Sequence, residues 1–233
     1  MSKASKEGAR RQERGEATRR RLLEAAIDVF GDQGPEAATR TLANRAGVNL
    51  AAIPYHFGSK QGLYLAAAEH IASEIGTRIG PALDQARQAI DQPEGRGLDK
   101  GAASALLTGV LEAFARMMVD PVSAGFARFI IREQMEPTAA FERLHAGFIG
   151  RTFNTLAKLI AVIRDGDPED PAIRLLAPRL IGQVMVLRAA RATVLRELRW
   201  DDIGDEEFEM IRNAIRENVE TLERGAKSAG DGA

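Results

Sequence analysis

Leu22, Leu23, Ala26, Ile27 and Phe30 stand three and four residues apart, one stripe of a helix, and the run stops at Gly31 and Gly34. The same period returns in nearly every later segment, and no β-branched stretch alternates with period two. A chain patterned this way buries its apolar residues as packed helices, so the expected fold class is all-α. After the first helix come a short one at 39–46, a long one at 60–90, and others near 102–119, 121–135, 137–164, 171–200 and 205–225. The breaks fall at "DQPEGRGLDKG" (91–101), the Asp-Pro pair at 120–121, Pro137, "DGDPEDP" (165–171) and "WDDIGD" (200–205). Ser59 is placed to cap the 60–90 helix, which at 1.5 Å per residue is roughly 45 Å long.

Charge divides the chain. The first 21 residues hold 8 basic and 3 acidic side chains, although the whole carries a net −1. A basic end on a mildly acidic body suits a polyanion partner, and equally a solubilising disordered tail. With no apolar periodicity before Glu16, residues 1–15 are expected to be a disordered basic arm, and 227–233 a disordered tail. That arm has no apolar core and so does not read as a secretory signal. No apolar run approaches the roughly 18 residues of a membrane helix, the densest being 180–187 between Arg179 and Arg188. A cytoplasmic protein with no membrane partner is expected. Without cysteine there are neither disulfides nor thiolate metal sites.

Within "TRTLANRAGVNLAAIPYHF" (39–57), a short helix, a turn at Gly47 and a second short helix capped by Asn49 have the proportions of a helix-turn-helix. On a 100° wheel Leu50, Ile53 and Phe57 face the core, joined by Leu42, Ala46 and Val48, while Ala51 and Tyr55 point the opposite way beside Ala52, Pro54 and His56. A solvent face normally carries Lys and Glu, and this one does not. Small side chains let a helix lie deep in the DNA major groove, with Tyr, His and Lys reaching phosphates. The alternative is that Ala51 and Ala52 pack against another part of the protein. Pro54 cannot donate to the carbonyl of Leu50, which predicts a bent or 3₁₀-like first turn in a helix of about eight residues.

The stretch "TRRRLLEAAIDVFGDQGPEAATRTLANRAGVNLAAIPYHFGSKQGLYLAA" resembles the N-terminal DNA-binding domain of tetracycline-repressor (TetR) family regulators over residues 16–76. The remainder is similar to the CecR-like subgroup of that family through "IIREQMEPTAAFERL" (130–144) and "GQVMVLRAARATVL" (182–195). The resemblance implies an N-terminal three-helix helix-turn-helix unit, joined by the long helix to a C-terminal helical bundle (77–226) that dimerises and holds a small-molecule effector. It also implies a homodimeric repressor on a palindromic operator of double-stranded DNA. Carried over by position, Thr39 and Arg40 open the second helix where the family contacts phosphate or base, and Asn49, Ala51 and Ala52 lie at the groove. Tyr55, His56 and Lys60 fall at backbone or base contacts. Pro54 departs from the family pattern, since many relatives carry a phosphate-binding tyrosine there.

In the bundle, Arg188 and Arg191 lie inside an almost uniformly apolar helix, with Glu133 one candidate partner. They are either anchors for an anionic or polar effector, with Met118 and Phe129 lining its pocket, or a structural ion pair or a dimer contact. The last two helices are expected to form the dimer interface through Leu180, Val184, Leu187, Phe208, Ile211, Ile215, Val219 and Leu222. The acids of "WDDIGDEE" (200–207) suggest a cation or, more simply, Asp205 capping the last helix. His56, His70 and His145 have no metal spacing, and no nucleophile, phosphate-cradling or paired-carboxylate motif is present, so no catalytic residue, metal or cofactor is proposed. The competing reading is an all-α effector-binding or interaction protein that never touches DNA.

Overall fold

The structure, a computed structural model, describes residues 3–91 and 97–230. Among these residues every regular element is helical: α1 (Lys3–Gln33), α2 (Thr39–Ala46), α3 (Ala52–Phe57), α4 (Lys60–Ile90), α5 (Lys100–Val119), α6 (Ser123–Met135), α7 (Ala139–Leu144), α8 (Gly150–Arg164), α9 (Pro171–Ala189), α10 (Arg191–Leu198) and α11 (Asp205–Gly230). A π-helical turn, His145–Ile149, joins α7 to α8. Of the expected loop at 91–101, residues 92–96 lie outside the described residues, 97–99 are irregular, and 100–101 already belong to α5.

Two compact units share the chain. The first comprises residues 1–73 and 125–147, so it takes in most of α6 and all of α7, which the sequence reading had assigned to the C-terminal domain. Its core is built from Leu22, Ala26 and Phe30 of α1, Leu42 of α2, Ile53 of α3 and Leu63, Ala67 and Ala68 of α4, all almost wholly buried. α6 lies tight on α1. A Cβ added at Gly125 would stand 2.8 Å from Asp28 Oδ1 and 3.1 Å from Ile27, so any larger residue there would have to push these side chains aside. Arg128 holds the same seam by pairing with Asp28 and Asp32. Around Tyr64 the rings of Phe30 and Phe129 pack at 4.8 Å each.

The second unit comprises residues 74–124 and 148–233. α5 and α8 pack on each other, α9 and α11 cover both, and α10 folds against α9. Asp99 caps α5 by accepting from Ala102 N at 2.8 Å, and Asp170 caps α9 likewise through Ala172 N at 2.8 Å, ahead of Pro171. α5 and the run 139–164 are, by length and average composition, apolar enough to cross a membrane, contrary to the sequence reading, which looked for unbroken apolar runs. In the second unit the apolar residues of α5 and α8 are core against one another.

Several expectations are corrected. The arm at 1–15 is helical from Lys3, and α11 continues to Gly230 through the expected tail. Lys, Arg, Glu, Gln and Ala dominate the arm, and such residues propagate a helix without any apolar stripe. The 171–200 helix breaks at Ala190 (φ −119°), which leaves helical geometry between α9 and α10. At the start of α11 it is Glu207, not Asp205, that caps, accepting from Gly204 N at 2.8 Å. Asp205 instead sits 3.5 Å from Arg116, and Asp202 pairs with Arg191. Among the described residues no group of His, Asp and Glu is arranged to hold a metal ion.

Candidate nucleic-acid interface

The turn between α2 and α3 follows from two residues. Gly47 takes the left-handed conformation (φ 62°) and its N–H reaches the carbonyls of Ala43 and Asn44, closing α2 where a side chain would be strained. Asn49 then accepts the Ala51 N–H on its side-chain oxygen at 2.9 Å. The next bonds run from Ala52 N to Asn49 O (2.9 Å) and from Ile53 N to Leu50 O (3.3 Å), both of the i→i+3 kind. The first i→i+4 bond is Tyr55 N to Ala51 O at 3.2 Å.

This resolves the proline. α3 starts at Ala52 rather than 50, so Pro54 lies in the first turn, where a backbone N–H has no intrahelical partner in any case. The carbonyl of Leu50, which Pro54 cannot serve, takes its hydrogen bond from Ile53 instead. The 3₁₀-like entry is therefore present, and the cost of proline in a helix interior is not incurred.

The shortened helix also moves side chains. Ile53 is buried as expected, but Leu50 stands 47% exposed, because it precedes the helix and has no place on the wheel. Tyr55 is 79% exposed, Ala51 and Arg40 are exposed, and Thr39 and Ala52 are half-buried at the same surface. The open face of the second helix is thus small except for Leu50 and Tyr55. His56 is turned sideways, its ring edge-on to Tyr55 at 4.8 Å and beside Gly15 of α1. Lys60, at the start of α4, lies 3.8 Å from Glu36, and Ser59 caps that helix by accepting from Gly62 N at 2.9 Å. A Cβ at Gly62 would stand 2.1 Å from the Phe57 carbonyl oxygen, so the α3–α4 corner tolerates only glycine there.

The sequence reading missed α1 as part of this surface. Arg19 places its guanidinium 5.2 Å from the Phe57 ring centroid, and a cleft of about 390 Å³ runs between α1 and α3. The signal was present as basic residues before Leu22, but without apolar spacing they did not read as a helix.

The five residues proposed around an effector are shared between the two compact units. Phe129 and Glu133 belong to the first unit. There Glu133 is wholly buried and accepts from Tyr64 Oη at 2.5 Å and from Thr138 N at 3.0 Å, with the Thr138 hydroxyl at 3.0 Å as well. Burial first, then hydrogen bonding and charge at Glu133, holds the Tyr64 phenol well above its ordinary pKa, so it remains a donor. Met118, Arg188 and Arg191 belong to the second unit. Arg188 donates from Nε to the Met118 carbonyl at 2.7 Å and from Nη2 to the Asp120 carbonyl at 2.6 Å, closing the C-terminus of α5. Arg191 pairs with Asp202.

Two protein-family models match the chain. Residues 22–67 match the family model described as bacterial regulatory proteins, tetR family, and residues 103–226 match that of the C-terminal domain of the HTH-type transcriptional dual regulator CecR. The chain is 32% identical over 212 residues to the dual regulator CecR of Shigella flexneri, spanning 91% of this chain and 94% of that protein. Among solved structures it is similar to a TetR-family regulator from Streptomyces coelicolor (TM-score 0.60, 19% identity, 91% of this chain and 96% of that one). It is also similar to the regulator FadR from Bacillus subtilis in complex with stearoyl-CoA (TM-score 0.55, 15% identity, 85% and 96% of the two chains).

Proposed function

The chain belongs to the TetR family of bacterial regulators, is a DNA-binding transcriptional regulator with a CecR-type C-terminal domain, and from that membership we propose that it represses transcription as a homodimer on a palindromic operator. The observation that carries the reading is the bare face of the second helix-turn-helix helix, where Ala51, Ala52 and Leu50 leave room for a groove and Tyr55 projects beyond them. Thr39, Arg40, Lys60 and the Tyr55 hydroxyl serve phosphates or base edges, and Leu50 offers a methyl-sized contact to thymine. Two copies place their helices in successive major grooves about 34 Å apart. The protein works in the cytoplasm, where that DNA is.

The dimer face proposed from sequence needs revision, because Leu180, Val184, Leu187, Phe208, Ile211, Ile215, Val219 and Leu222 are all buried inside the protomer. The free stripes of the same helices support dimerisation instead: Leu175, Gly182 and Val186 on α9, and Met210 and Ala214 on α11, all exposed. Val186→Glu then yields monomers in sedimentation analysis at micromolar concentration; an unchanged dimer removes this face from the assignment.

An effector in the second unit acts by favouring one of two positions of the helix that enters both units, α4. A crevice of about 760 Å³, lined by apolar Ile90, Leu98, Ala161, Val162 and Pro168 and by charged Asp99, Lys100, Lys158 and Asp165, is large enough for a small organic molecule. The relative crystallised with stearoyl-CoA supports an effector of apolar character. Selection of bound duplexes from a random pool tests the core of the reading. A repeated, two-fold half-site is the expected product, whereas a single unrepeated half-site or no enrichment refutes it.

A further inference from the structure

We propose that the crevice in the second unit takes an amphipathic organic anion, a carboxylate on an apolar body, with Lys158 as its counter-ion; as the effector's chemistry, this rests on the effector reading above. The crevice lies where three elements of that unit meet: the C-terminal end of α4 at Ile90, the start of α5 at Leu98, and the last two turns of α8. Ile90, Leu98, Val162 and Pro168 are each half-buried, and the apolar surface they leave uncovered lines this one crevice. An organic body laid on it is taken out of water on that side.

Charge decides what kind of body. Of the charged side chains at the crevice, Asp99 accepts from Ala102 N at 2.8 Å and caps α5, where the positive end of the helix compensates it. Lys100 pairs with Asp165. Lys158 is different. It is half-buried and has neither a hydrogen bond nor an ion pair among the described residues. An ammonium partly withdrawn from water without a counter-charge carries a desolvation cost, and an anion on the same surface offsets it. A cationic guest would need an unengaged acid, and both acids here are engaged.

The spacing on α8 sets the orientation. Ala161, Val162 and Asp165 stand three, four and seven residues beyond Lys158, on one stripe of the helix. A carboxylate at Lys158 therefore leads an apolar body over Ala161 and Val162, while the far end of the stripe holds an acid already paired. The position also gives the ligand purchase on α4. Arg87 of α4 donates to the Thr155 hydroxyl of α8 at 3.3 Å, and about one turn further along each helix Ile90 and Lys158 line the crevice. An anion held there bears on the last turn of α4, so its binding favours one position of that helix.

The test uses the full chain with Lys158→Gln and Lys158→Arg. Probes are 4-phenylbutyrate, octanoate and 2-naphthoate, each beside its corresponding primary alcohol and primary amine, titrated by ligand-observed nuclear magnetic resonance. In the wild type each acid is expected to bind about tenfold tighter than its alcohol. Lys158→Gln should erase that preference without weakening the alcohols, and Lys158→Arg should restore it. Acids that bind no better than alcohols or amines overturn the inference, as does a preference that survives Lys158→Gln, or no binding by any acid. Anisotropy of the operator duplex recovered by selection separates the two readings. Release by acids and alcohols alike keeps the effector reading and overturns the anion. Acids that bind through Lys158 yet leave operator affinity unchanged support the anion site and overturn its role as the effector's.

Discussion

Removing one oxygen from Tyr64 should reveal how the first unit holds its distant segment. Tyr64→Phe keeps the ring between Phe30 and Phe129 and deletes only the hydroxyl that donates to Glu133 at 2.5 Å. The acceptor is a wholly buried carboxylate whose other donors both come from Thr138. A hydrogen bond to a charged group contributes about 1.5–3 kcal/mol, and this one is short and shielded from water, so a loss of about 2 kcal/mol is expected. For a chain of this size that is a fall in melting temperature of roughly 4–8 °C. Urea denaturation of wild type, Tyr64→Phe, Glu133→Gln and the double variant isolates the pair. The cycle should return a coupling of about 1 kcal/mol or more. A loss under about 0.5 kcal/mol, or additive single changes, would refute the argument that this bond fastens α6 to α4. The pH dependence has a definite sign. The phenol's pKa is raised in the folded protein above its ordinary 10.0, chiefly by burial. The stability it contributes is therefore complete below pH 10 and is lost as pH climbs toward the folded value. Wild type should weaken above pH 10 by a component that Tyr64→Phe lacks.

Three further substitutions separate packing from recognition. Gly62→Ala drives a methyl to 2.1 Å from the Phe57 carbonyl, so it should cost more than about 2 kcal/mol or displace α3 and abolish operator binding; a stable, fully binding variant would contradict the corner geometry. Arg188→Ala removes two charged hydrogen bonds from the carbonyls of Met118 and Asp120, which keep Ser123 as donor, for a loss of about 1–3 kcal/mol in thermal unfolding with operator affinity intact; an unchanged melting temperature would return Arg188 to candidacy as an effector anchor. Arg40→Ala should relax base preference at one position of each half-site by about 1–3 kcal/mol, while Tyr55→Phe should weaken all sequences about equally. Affinities for a panel of single-base operator variants check the last pair, and reversed patterns would exchange the two roles.

What the chain disclosed and what it withheld divide along the range of the interactions involved. Leu42, Ala46 and Ile53 face inward where their spacing put them, because a helical face is set by residues three and four apart. The boundary of α4 at Lys60 was equally legible, since Ser59 caps it from one residue away. Leu50 failed for a local reason: the wheel assumes 100° per residue, and the i→i+3 bonds ahead of Ala52 mean that Leu50 is not yet on the helix. The bond from Tyr64 to Glu133 spans 69 residues, and no periodicity reports a pairing at that distance, so the packing of α6 and α7 with the first compact unit was not legible. The dimer face failed through a different ambiguity. α9 and α11 each need one apolar face for α5 and α8, and the larger residues went there. What remains outside, around Gly182 and Ala214, reads on a wheel as the unremarked side of the helix. Small residues are also what two helices need to approach closely across a symmetry axis. The side that a helical wheel passes over as bland is therefore the one to which the proposed second copy of this chain is assigned, and Val186→Glu is the substitution that tests it.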